Sequence, residues 1–114
     1  MSDKNLQIEI HSVGTAKIVA PLGDIDMSNS THLRASIRPI LKEDISKIVL
    51  DLQGVPYVDS SALGTLIEGL QLANQAAISF ILCNLNESVR SIITLSKLDQ
   101  IFTIHSSKED ALAE

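Results

Sequence analysis

Two hydroxyls and a carboxylate stand together at Asp59-Ser60-Ser61, where a helical run begins. The first N–H groups of any helix lack partners inside it, so Asp59 or Ser60 can act as an N-cap contributing about 1 kcal/mol. The same free N–H groups and the positive helix end also favour a phosphate on Ser60 or Ser61. The residues leave both readings open.

A second acidic string, Gly23-Asp24-Ile25-Asp26, raises a different chemistry. Asp24, Asp26, Asp51 and Asp59 together would make the acidic magnesium pocket of a receiver-like module that phosphorylates an aspartate, and Asp24, Asp26 and Asp59 could lie on one rim. Asp51 is followed by Leu52 and Gln53 before the loop, and residues 101–105 offer no lysine to hold a phosphoryl group, which weighs against it. Gly64 to Gln71 resembles half of a phosphate-binding loop, but Leu70 and Gln71 stand where Lys and Ser or Thr are needed. Ser60 is not in Gly-x-Ser-x-Gly and has no obvious histidine base. His11, His32 and His105 lack metal-ligand spacing, and Cys83, at the end of an apolar run, reads as a small buried hydrophobe. No metal, no cofactor and no enzymatic activity are expected.

The elements that must position these residues follow from periodicity. Apolar and polar residues alternate over 6–11, and a second apolar run covers 16–22 after the Ser12-Val13-Gly14-Thr15 turn, giving an opening hairpin. Residues 28–42 carry Leu33, Ile37, Ile40 and Leu41 at helical spacing, with Ser28 or Asn29 as N-cap and a kink or early end near Arg38 because of Pro39. A buried strand follows at 47–52. The helix at 60–77 repeats Leu63, Leu66, Ile67, Leu70, Ala73 and Ala77 on one face. Next come a strand at 78–83, a helix capped by Asn84 or Asn86, a strand at 101–105, and a final helix for which Ser106 and Glu109 have capping-box spacing. The order β-β-α-β-α-β-α-β-α predicts one α/β domain over 1–114: a mixed, mostly parallel sheet of about five strands with about four helices against it. Residues 1–5 are expected to be flexible. Ligands and partners of such sheets meet the loops at the carboxyl ends of the parallel strands, here 23–26, 54–60 and 84–86.

The chain has 114 residues, 45% of them hydrophobic and 3% aromatic, so its core must be aliphatic and stacking platforms for single-stranded nucleic acid are not expected. A net charge of -5 has the wrong sign for neutralising phosphates, so direct nucleic-acid binding is not expected. The single cysteine suits a cytoplasmic protein, and no apolar run approaches a bilayer span, so no membrane insertion is expected.

Asp51-Leu52, Tyr57-Val58 and Asp59-Ser60-Ser61-Ala62-Leu63-Gly64, together with Gly23-Asp24-Ile25-Asp26, resemble the STAS family, and within it the bacterial anti-sigma factor antagonists. The resemblance covers essentially the whole chain, with Ala62 where the family usually has glycine. It implies that Ser60 is phosphorylated by an anti-sigma factor that is also a serine kinase, with Ser61 as the rival position. The unmodified form would bind that kinase and release a sigma factor, a PP2C-type phosphatase would reset it, and the free protein would be a monomer. Partner contacts would fall on Asp24, Asp26, Asp59, Ser60, Ser61, Ala62 and Gly64. The family also implies a second possibility, an accessory subunit of a membrane transporter.

Overall fold

The computed structural model describes residues 6–114; the expected flexibility of residues 1–5 lies outside them. The opening hairpin forms from β1 (Gln7–Val13) and β2 (Ala16–Leu22), paired antiparallel from Gln7 opposite Leu22 to Val13 opposite Ala16. Ser12 and Val13 belong to the ladder, so the turn is Gly14 and Thr15 alone and β1 runs two residues beyond the expected end. The chain then alternates through α1 (Ser30–Ile40), β3 (Lys47–Asp51), α2 (Ser60–Gln75), β4 (Ser79–Cys83), α3 (Glu87–Leu95), β5 (Thr103–His105) and α4 (Lys108–Ala113). β2, β3, β4 and β5 pair in parallel, in sheet order β1-β2-β3-β4-β5, as the element order predicts.

The parallel strands are apolar on both faces because both faces are covered. Val19, Ile48, Leu50, Phe80 and Leu82 meet α1, α2 and α3 through Leu33, Ile37, Leu63, Leu66, Val89 and Ile93. Ile18, Val49, Ile81 and Cys83 face the other way, against Ala111 of α4. Lys47 fixes that helix, its Nζ donating to the carbonyls of Ala111, Leu112 and Glu114 at 3.0, 3.1 and 2.6 Å. A cation on the final carbonyls satisfies groups that a helix leaves unpaired and complements its dipole.

Element ends depart from expectation where a local hydrogen bond decides them. α1 starts at Ser30 and passes through Pro39 for one residue before Leu41 caps it. In the last turn a proline forfeits one bond, too little to stop the helix at Arg38. α2 ends at Gln75 because Ala77 turns left-handed (φ 60°), while Ala77 N–H donates to Asn74 O and Ile78 N–H to Ala73 O in a Schellman closure. Ala77 is therefore exposed. The face of α2 is also rotated: Ala62, Leu63, Thr65, Leu66, Gly69 and Ala73 are buried, while Ile67 and Leu70 are half-buried, since α2 packs against α1 as well as the sheet. α3 is capped by Asn86, not Asn84, and α4 by Ser107, not Ser106. Ser106 Oγ instead donates to the Asp110 carboxylate. A short 3₁₀ turn, Leu98–Gln100, delays β5 to Thr103 and has no counterpart in the apolar periodicity.

Candidate functional site

The loops leaving β2 and β3 are stitched together at the carboxyl end of the sheet. Gly23 N–H donates to Gly54 O at 2.8 Å, and Ile25 and Val58 form an isolated parallel bridge, with Ile25 N–H to Tyr57 O at 3.0 Å and Asp59 N–H to Ile25 O at 3.2 Å. Gly54 permits this approach: a Cβ there would stand 2.5 Å from Leu22 Cδ2 and 3.2 Å from the Pro21 carbonyl oxygen. Ile25 and Val58 point into the core, so by strand alternation Asp24, Asp26, Tyr57 and Asp59 turn outward. A third loop joins through Asn86, whose Nδ2 donates to the carbonyls of Val55 and Pro56, both at 3.2 Å.

Asp59 is the hub. As N-cap of α2, its Oδ1 accepts from Ala62 N–H at 3.0 Å and from Ser61 Oγ at 2.7 Å, while Oδ2 accepts from Met27 N–H across the loop at 3.1 Å. Burial works to raise the Asp59 carboxyl, but hydrogen bonds from the Ser61 hydroxyl and from the N–H groups of Ala62, Met27 and Ser61 outweigh it and hold the group below the ordinary aspartate value. Asp26 is engaged too, its Oδ1 accepting from Ser28 N–H and Ser28 Oγ at 2.9 and 2.6 Å. Asn29 closes the first loop: its Oδ1 accepts from Asp26 N–H and its Nδ2 donates to Asp24 O, both at 2.9 Å. That use of Oδ1 explains why Asn29 stands at the start of α1 without capping it by its side chain.

The two serines are not equivalent. Ser61 is half-buried and its hydroxyl is committed to Asp59. Ser60, the first residue of α2, is exposed, and the hydrogen bonds of this corner leave its hydroxyl out. Gly64, one turn further on, shares that open face, where a Cβ would meet nothing within 4 Å. Among the expected contact residues, the structure brings Asp24, Asp26, Asp59, Ser60, Ser61 and Gly64 to one corner. Ala62 is the correction: its side chain is fully buried, so its position offers a partner no surface. Alanine in place of glycine fills core space beneath the first turn.

Asp51 does not join the other acids. Val49 on the same strand and Cys83, opposite Asp51 on β4, face α4, and Asp51 follows that side, its Oδ1 held by Gln53 N–H at 3.1 Å and Asn84 Nδ2 at 3.0 Å. Among the described residues no three His, Cys, Asp or Glu side chains gather as a metal site. Nor do two surface grooves of ≈ 390 and ≈ 430 Å³ include Asp59, Ser60 or Ser61. The corner is a small, mostly polar surface made by the two adjoining loops and the first turn of α2.

Residue patterning passed over Met27, which is 79% exposed beside Asp59, and Tyr57 on the adjoining strand end. The only signal for Met27 was its place between Asp26 and the start of a helix.

The family model for the STAS domain matches residues 7–111. The chain belongs to the STAS family. The anti-sigma F factor antagonist of Paenibacillus polymyxa is 31% identical over 111 residues, covering 96% of this chain and 95% of its own length. The solved structure of the anti-sigma factor antagonist SpoIIAA in its unphosphorylated form superposes with a TM-score of 0.70 at 19% identity, covering 92% of this chain and 91% of that one. Murine Slc26a9, an anion transporter, contains the same fold with a TM-score of 0.79 at 21% identity; the match covers 90% of this chain and 18% of the transporter. Among the described residues of this STAS domain, no helix is long and apolar enough to cross a membrane.

Proposed function

We propose that this STAS domain is an anti-sigma factor antagonist switched off by phosphorylation of Ser60. The observation that carries the reading is the inequality of the two hydroxyls: Ser61 Oγ is tied to Asp59, whereas Ser60 is exposed at the first turn of α2. The relative of near-equal length from Paenibacillus polymyxa, an anti-sigma F factor antagonist, supports the same job. The partner is an anti-sigma factor with serine kinase activity that brings its own ATP and magnesium. This chain supplies a nucleophilic hydroxyl and no catalytic group, and requires no cofactor. A PP2C-type phosphatase returns it to the binding form, and the cycle runs in the cytoplasm.

The switch works by direct interference. Asp24, Asp26 and Asp59 already make the rim acidic, and a phosphate adds nearly two further negative charges. No hydrogen bond of the corner depends on Ser60 Oγ, and the α2 N-terminus partly compensates the new charge, so the fold is retained. A docked partner must accommodate bulk and charge where it met a small hydroxyl. A hundredfold loss of affinity requires only about 2.7 kcal/mol.

Incubation with the cognate kinase and Mg-ATP should add one phosphate, located at Ser60 by fragment mass spectrometry. Ser60→Ala should abolish it and keep kinase binding, Ser61→Ala should still be modified, and Ser60→Asp should bind weakly. Modification at Ser61, or equal affinities of the Ser60→Ala and Ser60→Asp variants, would overturn the reading. Backbone NMR shifts should change around residues 24–28 and 57–64 only; changes reaching β1 would replace direct interference with a conformational switch.

The transporter-subunit reading is supported by likeness of fold alone, across a small part of a much larger chain. The receiver reading needs Asp51 beside Asp59, a placement the fold does not provide.

A further inference from the structure

The sheet has two unlike edges. β5 is three residues long, which by itself blunts an edge, whereas β1 runs seven residues and, among the described residues, pairs with β2 alone. Its ladder with β2 is regular, without a bulge, and the strand Gln-Ile-Glu-Ile-His-Ser-Val contains neither lysine nor proline. Six of its seven residues are exposed, among them Ile10 at 43% and Val13 at 48%. A long, regular, partly apolar edge of this kind is a template for another strand.

We propose that β1 pairs with β1 of a second copy, antiparallel about a two-fold axis through Ile10, so that two sheets join into one. Complementarity between a carboxylate acceptor and an imidazole N–H donor selects the occupant and the register. In this alignment Glu9 lies opposite His11 of the second copy and His11 opposite its Glu9, with the two Ile10 side chains facing each other on the opposite side of the sheet. Glu9 and His11 are well exposed, and their side chains approach to 3.9 Å within one chain, so both already occupy one face and are free to reach across. Moving the axis to Glu9 sets two carboxylates against each other, and moving it to His11 sets imidazole against imidazole. An isologous contact of this type closes on itself and stops at two copies. The β1 edge lies to the side of the sheet, whereas Ser60 sits in the loops at its carboxyl end, so both Ser60 corners stay open. The dimer is a bivalent antagonist, and this holds whatever modifies Ser60. It replaces the expectation of a free monomer.

The test is the mass of the full chain in solution by sedimentation equilibrium, from about 10 µM to about 1 mM, the range suited to a small strand-edge contact. The mass should rise from 12.3 kDa towards twice that value with concentration. His11→Glu places like charges opposite Glu9 at both ends of the contact and should weaken association about tenfold. Glu9→Lys combined with His11→Glu should restore it. Ile10→Lys, with its fold checked by circular dichroism, should stay at 12.3 kDa throughout. A single mass of 12.3 kDa for the unmodified chain at every concentration would overturn the proposal. So would association indifferent to both Ile10→Lys and His11→Glu, which would place the contact on another surface.

Discussion

Gly64 and Gly69 lie on one helix, and only at the first should replacement with alanine stabilise the fold. A glycine inside a helix is about 1 kcal/mol less favourable than alanine, through the backbone freedom it loses on folding. At Gly64 a Cβ would meet nothing within 4 Å, so Gly64→Ala should recover most of that amount and raise the melting temperature by roughly 4 °C. At Gly69 the same Cβ would stand 3.1 Å from Phe80 Cζ and 3.2 Å from its Cε1. Phe80 cannot easily yield, being buried with its ring centroid 6.4 Å from that of Phe102, so overpacking of about 1–3 kcal/mol should cancel or exceed the gain. Urea unfolding of both variants, with coincident fluorescence-free probes such as circular dichroism, reads the two values. Equal stabilisation by both substitutions would refute the reasoning. The interior of this chain gives no reason for glycine at 64, which lies one turn beyond Ser60 on the open face. Under the proposed function, Gly64→Ala should also weaken partner binding while making the protein more stable.

Other outcomes follow from single contacts. Leu66 is fully buried, so Leu66→Asp should cost several kcal/mol through an unpaired buried charge; near-normal thermal unfolding would show that α2 presents a different face. Asp59, held below 3.8 in the folded chain, stabilises it fully above that unfolded value and loses this contribution as pH falls through the lower folded value. Asp59→Asn should accordingly flatten the acid limb of the stability curve. Ala77→Gly should stabilise by up to about 1 kcal/mol, because the residue holds φ 60°, and a loss of stability would contradict the strain assigned there. Burial, reinforced by the neighbouring Asp51, pushes the Cys83 thiol up to about 12, so the native protein should react with a thiol reagent about a hundredfold more slowly than the urea-unfolded chain.

Periodicity carried the element order and the parallel sheet, because burial on both faces leaves continuous apolar strands and amphipathic helices that read unambiguously. It did not carry the element ends. Ser106 and Ser107 both suit a cap, as do Asn84 and Asn86, and the choice rests on which backbone N–H each side chain reaches. Of the two asparagines, Asn84 does not cap α3 because it turns left-handed, φ 59°, and donates to Asp51. The same limit applied at the site. Asp59-Ser60-Ser61 identified the corner, yet whether Ser60 or Ser61 stays free depends on the register of one helical turn. Nor could the sequence say on which side of the sheet Asp51 lies, because two-residue alternation assigns a face only once the strand's core-facing side is known.

The corner is tied together by hydrogen bonds before anything binds to it, and this shapes how it can be read by a partner. Asp59 ties the β2–α1 loop to the first turn of α2 through Met27 N–H, Ala62 N–H and Ser61 Oγ, and Gly54 lets the two loops approach closely enough to bridge at Ile25 and Val58. Asn86 adds the start of α3 to the same assembly. For the partner proposed above, little ordering entropy then remains to be lost on docking, so affinity would rest on few groups: the Ser60 hydroxyl, the bare backbone at Gly64, and the exposed Met27 and Tyr57. A surface with so few contributors is sensitive to any one of them. In the proposed switch, a phosphate on Ser60, whose hydroxyl takes no part in the hydrogen bonds of this corner, would alter recognition while leaving the tethers, and hence the fold, in place.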